Sequence, residues 1–246
     1  LSKAKVFWML SEQQQQRGLG NNEQYTVSQT VQLAPSVKGL YLVVQADTNS
    51  AVGGGAGSIS ESNEGNNVRA VSALVDNTPA DLRVTTVVTE PQNFSGEETT
   101  ISWTVTNHGG DVWNGTRGWI DSVYFSPDPE FIRERATALG SVVRSNATGL
   151  TAGASYTASG KFKLPPGTDG PYYIYVITDS AHDSGNLTPA TWYQASSELL
   201  TGDLRNASAR DAFYVASVFE GSNGANNTGR GSLTATYREP DLQLDT

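Results

Sequence analysis

The chain has 246 residues, with 25 Asp and Glu against 16 Lys and Arg and a formal net charge of −9. Five of the cations are lysine and no run of about 18 apolar residues occurs, so a grip on nucleic-acid backbones and insertion into a membrane are both excluded as roles. Cysteine is absent, which removes disulfide frameworks and thiolate metal sites but leaves an extracellular home open, because large exported domains fold without disulfides.

In chain order, "LSKAKVFWML" opens without an initiator Met, and its apolar run at 6–10 is too short for a signal-peptide core. It reads as a strand already under way. "YTVSQTVQL" from Tyr25 and "GLYLVVQADT" at 39–48 follow as strand patterns, then the flexible link "GGGAG" at 53–57 and the polar phrase "ESNEGNN" at 61–67. "TTISWTVTN" places Ile101, Trp103 and Val105 on one face and Thr100, Ser102, Thr104 and Thr106 on the other, as a half-buried strand requires. Similar alternation marks residues 123–126, 156–164, 172–178 and 232–237, with Tyr173 and Tyr175 or their neighbours supplying core. The runs are separated by "NHGG", "WNGTRG" and "LPPGTDGP", whose Gly, Asn and Pro are turn formers. Two stretches read as helical: "SPDPEFIRERATAL" as a short helix or a loop with Asp128 as N-cap, and "TPATWYQASSELLTG" at 188–202 as the helix of an insertion at about 181–211. The final "EPDLQLDT" starts another strand pattern and stops, so both ends read as cut from a longer polypeptide.

The sequence repeats itself. Asn66-Asn67 and Asn226-Asn227 lie 160 residues apart, as do Asp81-Leu82 and Asp241-Leu242. "YTVSQTVQLAP" from Tyr25 aligns with "YTASGKFKLPP" from Tyr156, and residues 39–48 align with 171–180. The chain is therefore expected to hold the back half of one repeat at 1–78, a complete repeat at 79–238 and the first strand of a third at 239–246. About seven strands in roughly 160 residues predicts an all-β fold of tandem immunoglobulin-like antiparallel β-sandwiches, the second with a short helical insertion.

The repeated polar phrase, "ESNEGNN" at 61–67 and "SNGANN" at 222–227, allows two readings. As structure, it is the turn into a last strand, with Asn side chains bonded to nearby backbone and Gly65 at positive φ. As chemistry, Asp47, Glu61, Glu64 and Asn66 converge on a hard cation such as calcium, with Asp179, Asp183, Glu220 and Asn226 as the second copy's set. The turn reading accounts for Asn and Gly without the acids, and no EF-hand spacing is present. His108 and His182 read as turn residues with no nucleophile elbow beside them, so no enzyme activity is expected. Trp113, Trp119, Trp192 and Tyr193 fall at strand ends or in the insertion, where aromatics can stack on sugars or anchor a partner. Asn-linked sugar acceptor patterns stand at Asn93, Asn114, Asn146, Asn186, Asn206 and Asn226.

Taken in order, "DLRVTTV", "ISWTVTNHGG", "WIDSVYFSPD", "LTAGASYTASGKFKLPPG", "YYIYVITD" and the closing "ESNEGNN" resemble the bacterial cell-adhesion-related domains, often abbreviated CARDB, of large repetitive surface proteins. The resemblance implies an immunoglobulin-like fold, export and service as a stalk or adhesive module without catalysis. The second copy departs from it at Gly224, which stands where the first copy has Glu64. The expectation is a secreted, cell-surface structural protein, a segment of a fibre, stalk or adhesin. Its partners are neighbouring repeats, including head-to-tail self-association by strand addition, and surface glycans or proteins. The alternative is a carbohydrate- or protein-binding accessory module of a secreted enzyme.

Overall fold

The computed structural model describes residues 18–30, 33, 35–37, 39–47, 59–180 and 217–238. The expected helix at 188–202, the opening strand and the strand pattern at 239–246 lie outside these residues. The described chain is all-β, with ten strands and helical content limited to single 3-10 turns. It divides into two units, one reaching Asn77 and the other beginning at Thr78.

In the first unit, β1 (Gly39–Gln45) and β2 (Val68–Val75) form an antiparallel hairpin in which Leu42 faces Val71 and Val44 faces Arg69. Tyr25–Thr30 forms no strand, and Tyr25 is 45% exposed whereas its counterpart Tyr156 is buried.

The second unit holds β3 (Leu82–Thr89), β4 (Asn93–Phe94), β5 (Glu98–Asn107), β6 (Gly118–Ser126), β7 (Thr137–Ser145), β8 (Ser155–Lys163), β9 (Gly170–Ile177) and β10 (Thr228–Thr236). One sheet is ordered β3-β5-β8 and the other β4-β10-β9-β6-β7. Their inner faces share one core, in which Ile101, Trp103, Val105, Trp119, Val123, Ile174 and Val176 are all essentially inaccessible to water. That packing explains the alternation along β5, whose outer Thr104 and Thr106 hydroxyls bond Thr157 and Ser155 on β8 at 3.1 and 2.8 Å. Tyr175 is also buried, but on the outer face, in a smaller cluster with Tyr124 and Ile177.

The stretch after Asp128 is not a helix. A single 3-10 turn, Arg133–Arg135, is followed by β7, which pairs with β6 along its length. Phe131, expected on a helix face, instead lies edge-on to Tyr124 and beside Tyr175, both at 5.2 Å. Two aromatic contacts and a full ladder outweigh an N-cap and a proline, whose intrinsic preferences are weak.

β3 begins in register with β5 at Leu82–Asn107 and slips between Val84 and Thr86. The bulge advances the inward face by one residue, from Leu82 and Val84 to Val87. Both Val84 and Val87 then lie against glycines of β10: a Cβ on Gly229 would sit 2.4 Å from Val84 Cγ1, and one on Gly231 would sit 2.9 Å from Val87 Cγ1. Only side-chain-free positions allow this approach.

Candidate functional site

Each unit closes its hairpin in the same way. Asp47 and Asp179 both take left-handed backbone, with φ of 46° and 49°. Each carboxylate accepts the backbone N–H of a residue just before the polar phrase, Ile59 at 3.1 Å in one unit and Val218 at 3.0 Å in the other. Two residues later an acid accepts the side-chain amide of the phrase's final Asn: Asn67 donates to Glu61 at 2.7 Å and Asn227 to Glu220 at 2.5 Å. That Asn's carbonyl in turn accepts the N–H of Ala46 or of Thr178, at 2.8 and 3.1 Å. A 3-10 turn, Glu64–Asn66 or Gly224–Asn226, ends each phrase. Asn63 Oδ1 accepts the Gly65 N–H at 3.0 Å, as an Asx turn does. Gly65, however, is not at positive φ; the left-handed residues are the two aspartates and Gly221.

In the second unit the phrase also grips the entering chain. Ala80 N–H donates to Phe219 O at 3.1 Å and Leu82 N–H to Glu220 Oε1 at 2.6 Å. Asn223 donates to Ala80 O at 3.1 Å and Asn226 to Asp81 Oδ1 at 2.9 Å. From the other side, Asn107 Oδ1 accepts the Asp81 N–H at 3.1 Å, while His108 and Gly110 donate backbone N–H groups to Asp81 O and Pro79 O at 2.7 and 2.8 Å. Every backbone donor and acceptor from Pro79 O to Leu82 N is thereby used, as buried backbone requires. Gly109 and Gly110 permit it, since a Cβ on Gly109 would sit 2.4 Å from Pro79 O and one on Gly110 2.4 Å from Thr78 O.

Two buried carboxylates stand out electrostatically. Burial pushes Glu220 up to about 7, opposed by its Asn227 and Leu82 donors and assisted by the nearby charges of Asp179 and Asp81. Asp121 is also raised by burial, although Trp103 Nε1 donates to it at 2.7 Å and Tyr156 OH at 2.8 Å. Tyr156 OH accepts from Trp119 Nε1 at 3.0 Å and lies 3.1 Å from Thr178 Oγ1. Asp81 is held below its ordinary value, chiefly by its hydrogen bond from Arg83.

The expected metal ligands can be placed. Asp179, Glu220 and Asn226 come to the same end of the second unit, but their side chains are engaged by Ser217, Val218, Leu82, Asn227 and Asp81. Asp47 and Glu61 likewise accept from Ile59 and Asn67, and Glu64 and Asn66 stand in the 3-10 turn. Asp183 lies outside the described residues. Among the described residues no group of three or more His, Asp or Glu side chains is arranged to hold an ion.

Of the aromatic candidates, Trp119 is corrected: it is 1% exposed, its indole packs edge-on against Tyr156 at 5.8 Å, and it presents no face to a partner. The inward register of β6 put it there. Trp113 is half-buried, with its ring over Gly115, and Trp192 and Tyr193 lie outside the described residues. Asn93 and Asn146 are buried and donate their amides to Glu90 O and Thr116 O, which leaves neither amide open to a glycan. Sequence reasoning missed Asp121, although "WIDSVYF" carries its signal: a carboxylate between Trp119 and Val123 on the inward face.

No family model and no curated protein matches the chain. Among solved structures it is similar to the CARDB domain of a Pyrococcus furiosus protein in complex with di-metal ions, with 13% identity, a TM-score of 0.35 and coverage of 65% of this chain and 96% of that one. It is also similar to a Bifidobacterium adolescentis GH3 β-glucosidase, at 17% identity and a TM-score of 0.29 over 42% of this chain and 16% of the enzyme. β-Glucosidase 3B from Thermotoga neapolitana matches at 13% identity and a TM-score of 0.30, over 45% of this chain and 15% of the enzyme. These likenesses assign neither a reaction nor a metal to this chain.

Proposed function

We propose that this chain is a non-catalytic segment of a repetitive cell-surface stalk or adhesin, built from tandem immunoglobulin-like repeats that stack end on end. The observation that carries the reading is the doubled hairpin closure. Left-handed aspartate, acid, 3-10 turn and terminal asparagine recur with the same bonds in both units, on hairpins whose registers match where Tyr41–Gln45 faces Ser72 to Val68 and Tyr173–Ile177 faces Ser232 to Thr228. A chain that spends one closing device twice is organised as copies, and copies in series make rods. Export and surface display fit an acidic, cysteine-free chain. No helix among the described residues is long and apolar enough to cross a membrane.

The test is where the native polypeptide resides and how long it is. Antibodies raised against this chain should label intact and permeabilised cells of its source equally, and detect a species well above 26.2 kDa. Label confined to permeabilised cells, or a native species of 26.2 kDa, would sink the reading.

A further inference from the structure

We infer that the second unit is a tension-bearing element whose terminal strands are loaded lengthwise. The chain enters at Thr78 beside the end of β5 and the start of β10, and leaves after Thr236 at the other end, beside Ser95 and Asp169. β3 and β10 run in the same direction, since Val84, Val87 and Thr89 meet Gly229, Gly231 and Ser232 in turn. A pull that separates entry from exit therefore draws β3 along its axis past β5 and β10 along its axis past β9. Ladder bonds lie perpendicular to the strands, so the seven paired positions of β3 with β5 and the eight of β10 with β9 resist together rather than one after another.

Both ends are reinforced where force arrives. At the entry, Ala80 and Leu82 donate to Phe219 O and Glu220, and Asn223 and Asn226 hold Ala80 and Asp81. At the exit, β4 adds a parallel pairing of Asn93 and Phe94 with Ala235 and Thr236. Ser95 N–H donates to Thr236 O at 3.0 Å and Tyr237 N–H to Asp169 at 3.0 Å. Arg238 pairs with Glu97 and stacks over Phe94. The repeated phrase is on this account the upper anchor of a strand under load. The inference extends the stalk reading but is read out separately: lost mechanical anisotropy with surface labelling intact sinks it alone.

The chain has no cysteine, so two introduced thiols set the direction of pull on it. Thr78→Cys with Glu239→Cys loads both terminal strands lengthwise, whereas Thr78→Cys with Ser222→Cys separates two exposed points at one end and peels the ladder bond by bond. In single-molecule stretching at one loading rate, the first pair should unfold at a median force higher by about twofold or more, because its ladder bonds share the load. Equal forces, or a weaker first pair, overturn the inference. Denaturant midpoints of the two variants must coincide, and exposed Asp76→Cys replaces Thr78→Cys as anchor if the latter shifts that midpoint.

Discussion

Glu220 is the residue on which the closing phrase turns. The residue is 5% exposed and its carboxyl faces two further acids, Asp81 and Asp179, with donors from Asn227 and Leu82 among the described residues. A folded pKa of about 7 against an ordinary 4.5 means that the folded state binds more protons than the unfolded one between those values. Stability from this group is therefore highest below about 4.5, falls as pH rises towards 7, and is level above; the whole span is at most about 3 kcal/mol. Glu220→Gln keeps an acceptor for the Leu82 N–H and removes the ionisation, so denaturant titrations of the variant should show a flatter profile across that window and no loss at pH 8. Glu220→Ala should lose stability by about 1–3 kcal/mol at both ends of the window, because the Leu82 donor is left buried and unmet. An unchanged profile in Glu220→Gln would show that the acid is not the titrating group.

At the scale of strands, period two was enough to find β5, β8, β9 and β10, because each has one face against the core and the pleat does the rest. β7 was hidden because it is an edge strand with no fully buried residue, and its alternation is correspondingly shallow. The grip of Glu220 on Leu82 spans 138 residues and leaves no local trace, whereas the doubled phrase that supplies it was plain in the sequence. The β3–β10 contact lies between these cases: "TGRGS" looks like a weak strand until Val84 and Val87 are seen to occupy the space that side chains would take. Gly229→Ala places a methyl 2.4 Å from Val84 Cγ1, and should cost about 1–3 kcal/mol as an overpacked contact. Gly224→Ala, whose Cβ would meet nothing closer than Glu220 Oε2 at 3.8 Å, should stay within about 0.5 kcal/mol of the parent. Unfolding in guanidinium followed by tryptophan fluorescence separates the two; a Gly229→Ala chain as stable as Gly224→Ala refutes the close contact.

For the whole molecule, the excess of acids sets two opposing responses to pH. A net charge of −9 keeps like copies apart near neutrality, and that repulsion vanishes at the isoelectric point of about 4.7, where association of a protein is least opposed. The buried acids respond in the other sense. Burial raises Glu220 to about 7, so the folded state gains stability as pH falls through 7 towards 5, and it raises Asp121 in the same direction. Asp81, held low by Arg83, contributes the reverse trend only below its ordinary 3.8. Thermal midpoints measured in dilute solution should therefore rise between pH 8 and 5 while solubility falls to a minimum near 4.7. If midpoint and solubility decline together over that interval, the two carboxylates are ionised in the folded protein, and the interior assigned to them is too polar to be the closed end of a sandwich core.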